Sequence, residues 1–348
     1  MRLSVLDVMP TGGGLTAVEA LPRAASLAQH VDTLGYHRLW FAEHHGMALI
    51  ASSVPEILIA HVAPLTQHLR IGAGGVMLPN HAPLRVVEQY RTLHALHPGR
   101  IDLGIGRAAG TDSLTSAALS GRSGTDFGQL LAETLAFEEG TFPGEHPFRT
   151  IRVTPSGVTL PPIWILGSSG GSAGIAGQLG TGYAFAAHFS PVEPGPAVAR
   201  YRATFEPSEA FPQPQVLIAT SVVCAGDGDT ARAHCVILAH AMQELLTGTP
   251  VPLPSLGEAR RCTWSEAELR MRMGPVGPQM IFGSSDHVTT QLQSLADRVQ
   301  ADELMIMTVV HDHEARLASY RMLAESFALD SPHSVRRRLS APSSDGMS

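Results

Sequence analysis

The sequence predicts an α/β fold of the (β/α)8 TIM-barrel type, and three observations carry that expectation. Eight short apolar segments are each followed by a segment whose apolar residues recur at helical spacing. Most of the connections are short, which suits parallel strands with helices packed outside them. A count of eight pairs in 348 residues favours a closed barrel over an open doubly wound sheet.

The pairs run in order along the chain. "LSVLDV" reads as the first strand, and "LTAVEALPRAASLAQHVDTLG" as its helix, closed by Gly35. "HRLWFA" precedes the helical "SVPEILIAHVAPLT", and "LRIGAGGVML" precedes "PLRVVEQYRTLHALHPG". "RIDLGIG" is the fourth strand, with a polar loop and then a helix near Phe127 to Glu139. "PIWILG" leads into "GSAGIAGQLG", and "GYAFAA" into "PGPAVARYRATF". "QVLIATSVVCA" with "DTARAHCVILAHAMQEL" and "DELMIMTVV" with "HDHEARLASYRMLAESF" complete the count. One domain is expected over residues 1–330. Two stretches exceed the repeat: Thr141 to Pro162 reads as a small hairpin insertion, and Leu246 to Phe282 as a mobile lid. Residues 331–348 lack apolar periodicity and read as a disordered tail.

Composition removes several chemistries. All 24 basic residues are Arg, so a Schiff-base lysine and a Walker-type phosphate lysine are excluded. A net charge of -7 argues against nucleic acid as a partner. Cys224, Cys235 and Cys262 show neither CxxC pairing nor metal spacing and read as reduced thiols. No segment has the length of a bilayer span, and the N-terminal apolar run is short for a secretory signal. A cytoplasmic protein without a membrane partner is expected.

In a barrel of this type the strand C-termini form the active-site rim. "RLWFAEHHG" therefore delivers His44 and His45 to the rim, and imidazole is suited to proton transfer near neutral pH. Adjacent histidines are poor co-ligands and no HExxH occurs, so no metal is expected. "GAGGVMLPNHAP" places Gly74 and Gly75 in a strand, where a flat ligand or another backbone can approach closely. "DLGIGRAAG" matches GxGxxA through Gly104, Gly106 and Ala109, but no helix opens directly after it, so a Rossmann site is disfavoured. Arg107 leaves that strand into the mouth. "GSSGGS" brings Ser168, Ser169, Gly170, Gly171 and Ser172 to a helix N-terminus, where free N–H groups and hydroxyls suit an anion. Together with Arg107 they read as a phosphate site.

"EHHG", the run from "GAGGVMLPNHAP" through "DLGIGRAAGTD", and "ILGSSGGSAGIAGQLG" together resemble the bacterial luciferase-like flavin-dependent monooxygenases, from about Leu3 to Phe327. The resemblance implies reduced FMN at the barrel mouth and O2 as co-substrate, reacting through a flavin C4a-(hydro)peroxide to hydroxylate, epoxidise or carry out Baeyer–Villiger insertion on an organic small molecule. It implies His44 as base or proton donor, His45 as its neighbour, and a nonprolyl cis peptide between Gly74 and Gly75. Arg107, the Ser168–Ser172 loop and Arg122 would hold the phosphate. It further implies a separate NAD(P)H:flavin reductase, a homodimer, and a place in secondary metabolism such as antibiotic biosynthesis. Light-emitting members carry a cysteine where this chain has Gly106, which is expected to leave more room and speaks against light emission. The alternatives are an F420-dependent hydride-transfer enzyme of the same fold and a non-catalytic flavin-binding protein.

Overall fold

The computed structural model describes residues 1–11, 15–120, 126–247 and 252–330. Eight parallel strands close into a ring: β1 (Arg2–Asp7), β2 (Arg38–Phe41), β3 (Arg70–Met77), β4 (Ile101–Gly106), β5 (Ile163–Gly167), β6 (Gly182–Ala186), β7 (Val216–Ala225) and β9 (Glu303–Met307). Each pairs with the next, and β9 pairs with both β7 and β1. The predicted barrel is the fold.

Helices lie between the strands: α1 (Ala17–Leu34), α2 (Pro55–Val62), α3 (Pro83–Leu96), α4 (Ser113–Ser120), α5 (Phe127–Glu139), α6 (Gly171–Gln178), α7 (Gly195–Ala203) and α8 (Gly228–Thr247). The remainder are α9 (Leu256–Arg260), α10 (Glu266–Arg272), α11 (Ser285–Val299) and α12 (His313–Ser326). Local chemistry sets their ends. Thr16 and Glu19 form a reciprocal capping box at the start of α1, and Gly35 closes it with φ 86°, a conformation glycine adopts without steric penalty.

Strand alternation sorts the core into two shells. Leu3, Val5, Leu39, Phe41, Ile71 and Ile101 face the helices, whereas Leu6, Trp40, Ala42, Trp164, Leu217 and Met305 fill the ring. At the N-terminal end the ring is plugged by polar groups. Arg38 donates from Nη1 to Asp102 Oδ2 at 2.7 Å and from Nε to Glu303 Oε1 at 2.7 Å, and its guanidinium lies over the Trp164 ring at 4.7 Å. This plug leaves the C-terminal end as the open one.

Three expectations change. Thr141–Pro162 contains no hairpin; the chain makes a 3-10 turn at Pro147–Thr150, where Phe142 and Phe148 pack against Phe137 and His146 stacks on Phe142. Aromatic clustering replaces strand pairing there. The described part of 246–282 is not a free loop either: Ala259, Leu269, Met273 and Met280 are buried in a satellite core with Ala231, Cys235 and Ala239 of α8. The third change is a ninth strand, β8 (Ile281–Ser284), which pairs with β7 beyond the reach of β9 and feeds α11. The tail 331–348 lies outside the described residues.

Candidate active site

The chain beyond β2 divides its three titratable residues between two tasks. Glu43 is wholly buried and acts as a hub. Its Oε1 accepts from His45 Nε2 at 2.9 Å, His81 Nε2 at 2.9 Å and Asn80 Nδ2 at 3.2 Å, while Oε2 accepts from the Met77 amide at 2.8 Å. Burial pushes the Glu43 carboxyl up, but the donors from His81, His45 and Met77 outweigh it and hold it below its ordinary range. Burial alone would lower His81; Glu43 reverses this and raises it. The hub ties the end of β2 to the turn after β3 and engages His45 through its Nε2.

His44 turns the other way. Its amide donates to Ser52 O at 2.9 Å and its Nδ1 lies 3.3 Å from Gly110 O. A carbonyl only accepts, so Nδ1 carries the hydrogen and the neutral ring keeps a bare lone pair on Nε2. Burial lowers the His44 imidazole from its ordinary value, against the opposing pull of the Gly110 carbonyl and Glu43. Thr111 Oγ1 donates to His45 O at 2.7 Å and fixes the facing loop.

The glycines of β3 and β4 form the floor. The Gly74–Gly75 peptide is cis, where the resemblance placed it. A Cβ on Gly74 would lie 2.8 Å from Trp40 Cε3, and one on Gly75 would lie 2.8 Å from Gly104 O. The protein's own packing thus demands these glycines, whatever ligand approaches. At Gly106 the expected extra room is absent: a Cβ there would lie 2.8 Å from Met77 Sδ, because the thioether has filled the space.

The residues expected to form an anion site lie at the ends of β4 and β5 and the start of α6. Arg107 is exposed at the end of β4, with Nη1 3.4 Å from the position a Cβ on Gly171 would take. Helix α6 starts after Gly170, whose φ is 72°, without a side-chain cap on its first amides. Ser168 is half-buried and Ser169 exposed, and Ser190 Oγ donates to Ser168 O at 2.8 Å. Ser172 departs from expectation: its side chain is buried and its Oγ fills the space beside Gly167, so only its amide is available to a ligand. Arg122 lies outside the described residues. A guanidinium beside an uncapped helix start fits a phosphate group.

The luciferase-like monooxygenase family model matches residues 1–326. The chain belongs to that family. A luciferase-like monooxygenase of Escherichia coli K12 is 36% identical over 325 residues, covering 92% of this chain and 96% of that protein. The structure of apo-MsnO8 superposes with a TM-score of 0.84 at 36% identity, covering 95% of this chain and 98% of that one. Two more distant structures share the fold alone. One is the oxygenating constituent of 3,6-diketocamphane monooxygenase from Pseudomonas putida in complex with FMN, with a TM-score of 0.67 at 16% identity, covering 94% and 97% of the two chains. The other is an F420-dependent secondary alcohol dehydrogenase with an F420–acetone adduct, with a TM-score of 0.64 at 11% identity, covering 94% and 99%.

Within this luciferase-like frame, sequence reasoning overlooked Glu43 as a hub, Met77, Asn80, His81 and His188. A signal was available for His188, which follows "GYAFAA" at a strand end as His44 follows β2. His188 is 8% exposed, and Ala219 O accepts from both its amide at 3.1 Å and its Nδ1 at 3.3 Å. Burial lowers its imidazole from 6.5 to about 4, and a charge on His44 would lower it further. Because the unfolded chain binds the proton more readily between those values, this group's stabilisation is lost as pH falls from about 6.5 to about 4. His188→Asn should therefore flatten the acid limb of stability by roughly 2 kcal/mol between pH 7 and 5, measured as urea midpoints. Parallel slopes for the two proteins would contradict this. Among the described residues, no group of three His, Cys, Asp or Glu is arranged to hold a metal ion, and no helix is long and apolar enough to cross a membrane.

Proposed function

We propose that this luciferase-like monooxygenase uses reduced FMN, delivered by a separate NAD(P)H:flavin reductase, and O2 to oxygenate a small organic molecule in secondary metabolism. The observation that carries the reading is the meeting of Arg107 with the uncapped start of α6, on the same rim as His44 and the cis Gly74–Gly75 peptide. When bound, reduced FMN would supply the electrons that activate O2.

The protein's own residues have separable tasks. Arg107 and the first amides of α6 would hold the phosphate, with Ser168 and Ser169 beside it. The bare Nε2 of His44 can accept a proton at the mouth and return it. The Glu43 hub keeps the β2 and β3 ends in register, which fixes the direction of His44. Below them the apolar layer of Trp40, Ala42, Leu166 and Met307 excludes water from the floor.

The test is retention and reoxidation. Protein mixed with photoreduced FMN, or in parallel with reduced F420, is separated from free cofactor and then exposed to O2. Retention of FMN with altered reoxidation kinetics is expected. Retention of F420 with FMN left free would overturn the reading in favour of hydride transfer; FMN retained with the reoxidation rate of free flavin would favour a carrier.

A further inference from the structure

Two histidines stand on opposite sides of the mouth with the same hydrogen-bond pattern. His44 follows β2 and His188 follows β6, strands that stand four places apart in a ring of eight and thus face one another across the opening. Each ring gives its Nδ1 hydrogen to a main-chain carbonyl, Gly110 O for His44 and Ala219 O for His188, both at 3.3 Å. Neither Nε2 has a hydrogen-bond partner among the described residues. A neutral ring with its one hydrogen on Nδ1 offers Nε2 as an acceptor and has no second hydrogen to donate.

The chain after His188 adds an apolar platform. Phe189 is 46% exposed and Val192 49%, although both are large apolar side chains on the rim. The Phe189 ring packs edge-on against His188, with centroids 4.7 Å apart. A flat apolar ring seated on Phe189 would bring its substituent toward His188.

We propose that His188 is a second hydrogen-bond acceptor of the site, beside His44, and that it selects a phenolic substrate over an isosteric ring lacking the hydroxyl. A phenol has one O–H hydrogen, which the bare Nε2 of His188 can accept, and a ring offering only a carbonyl would leave that acceptor unmatched. The proposal rests on the monooxygenase reading for what happens afterwards, but the binding step needs no cofactor.

The experiment compares phenol with toluene on the full-length protein carrying 15N-labelled histidine. Phenol is expected to bind roughly fivefold to tenfold more tightly than toluene and to move the Nε2 resonance of His188. His188→Asn keeps an amide hydrogen at the Nδ1 position for Ala219 O but has no acceptor at Nε2; it should bind the two ligands alike. His188→Gln, which can place a carbonyl near Nε2, should recover part of the preference. Thermal unfolding checks that both variants are folded. Equal affinities in the wild-type protein, or an undiminished preference in folded His188→Asn, would overturn the proposal. FMN retention measured on the same samples separates this failure from failure of the cofactor reading.

Discussion

Replacing Arg38 by leucine is expected to destabilise the barrel by roughly 3–5 kcal/mol, enough to remove much of a typical domain's stability. Arg38 is 4% exposed and bridges two buried carboxylates inside the ring, Asp102 and Glu303. Burial pushes the Asp102 carboxyl up, but Arg38 and Arg70 outweigh it and hold it below its ordinary range. Without Arg38, Glu303 keeps only the Ser4 hydroxyl as a side-chain partner, and Asp102 keeps Arg70 and the Trp40 indole. The expected measurement is a large fall in the urea midpoint with little change in its slope. The deficit should shrink as pH falls toward 4, because a carboxyl that has lost its cation takes up a proton instead of remaining charged. A loss below 1 kcal/mol would show that the plug contributes little.

The second large effect concerns His44. His44→Ala should lower product formation roughly 10²- to 10⁴-fold, the usual range for removal of a positioned acid–base group. FMN retention should change little, because the cradle at Arg107 and Gly171 belongs to β4 and α6, not to β2. His45→Ala should behave differently. It removes one donor to Glu43 and leaves the donors from His81, Asn80 and the Met77 amide in place, so a smaller loss, in stability as much as in rate, is expected. Steady-state turnover of the two variants, set against FMN retention, separates the roles. Equal losses from both would contradict the division of labour.

These roles show how far the sequence could be read. The barrel was legible because eight apolar segments alternate with helices of 3.6-residue period. β8 was not, since four residues including Gly283 give no periodic signal. Helix α11 was missed although Val288, Leu292, Leu295 and Val299 recur at helical spacing; the Pro- and Gly-rich stretch before it masked its start. Arg107 and the helix start after Gly170 were legible because each follows a strand in a recognisable motif, and Gly74 and Gly75 because glycines inside a strand stand out. The Glu43 hub was not, because it joins Glu43 and His45 to Asn80 and His81, which are close only after β2 and β3 pair. Nor was Met77 in the place opposite Gly106, since that contact depends on the bulge between Ala73 and Val76.

The central claim is that the rim of this barrel grips a phosphate through Arg107 and the start of α6. Its most direct test is the ratio of affinities for FMN and riboflavin, which differ only by that phosphate, in the wild-type protein and in Arg107→Ala. The wild-type protein should prefer FMN, and the variant should lose roughly tenfold to a hundredfold of that preference while riboflavin binding stays constant. Equal binding of FMN and riboflavin by the wild-type protein would contradict the account.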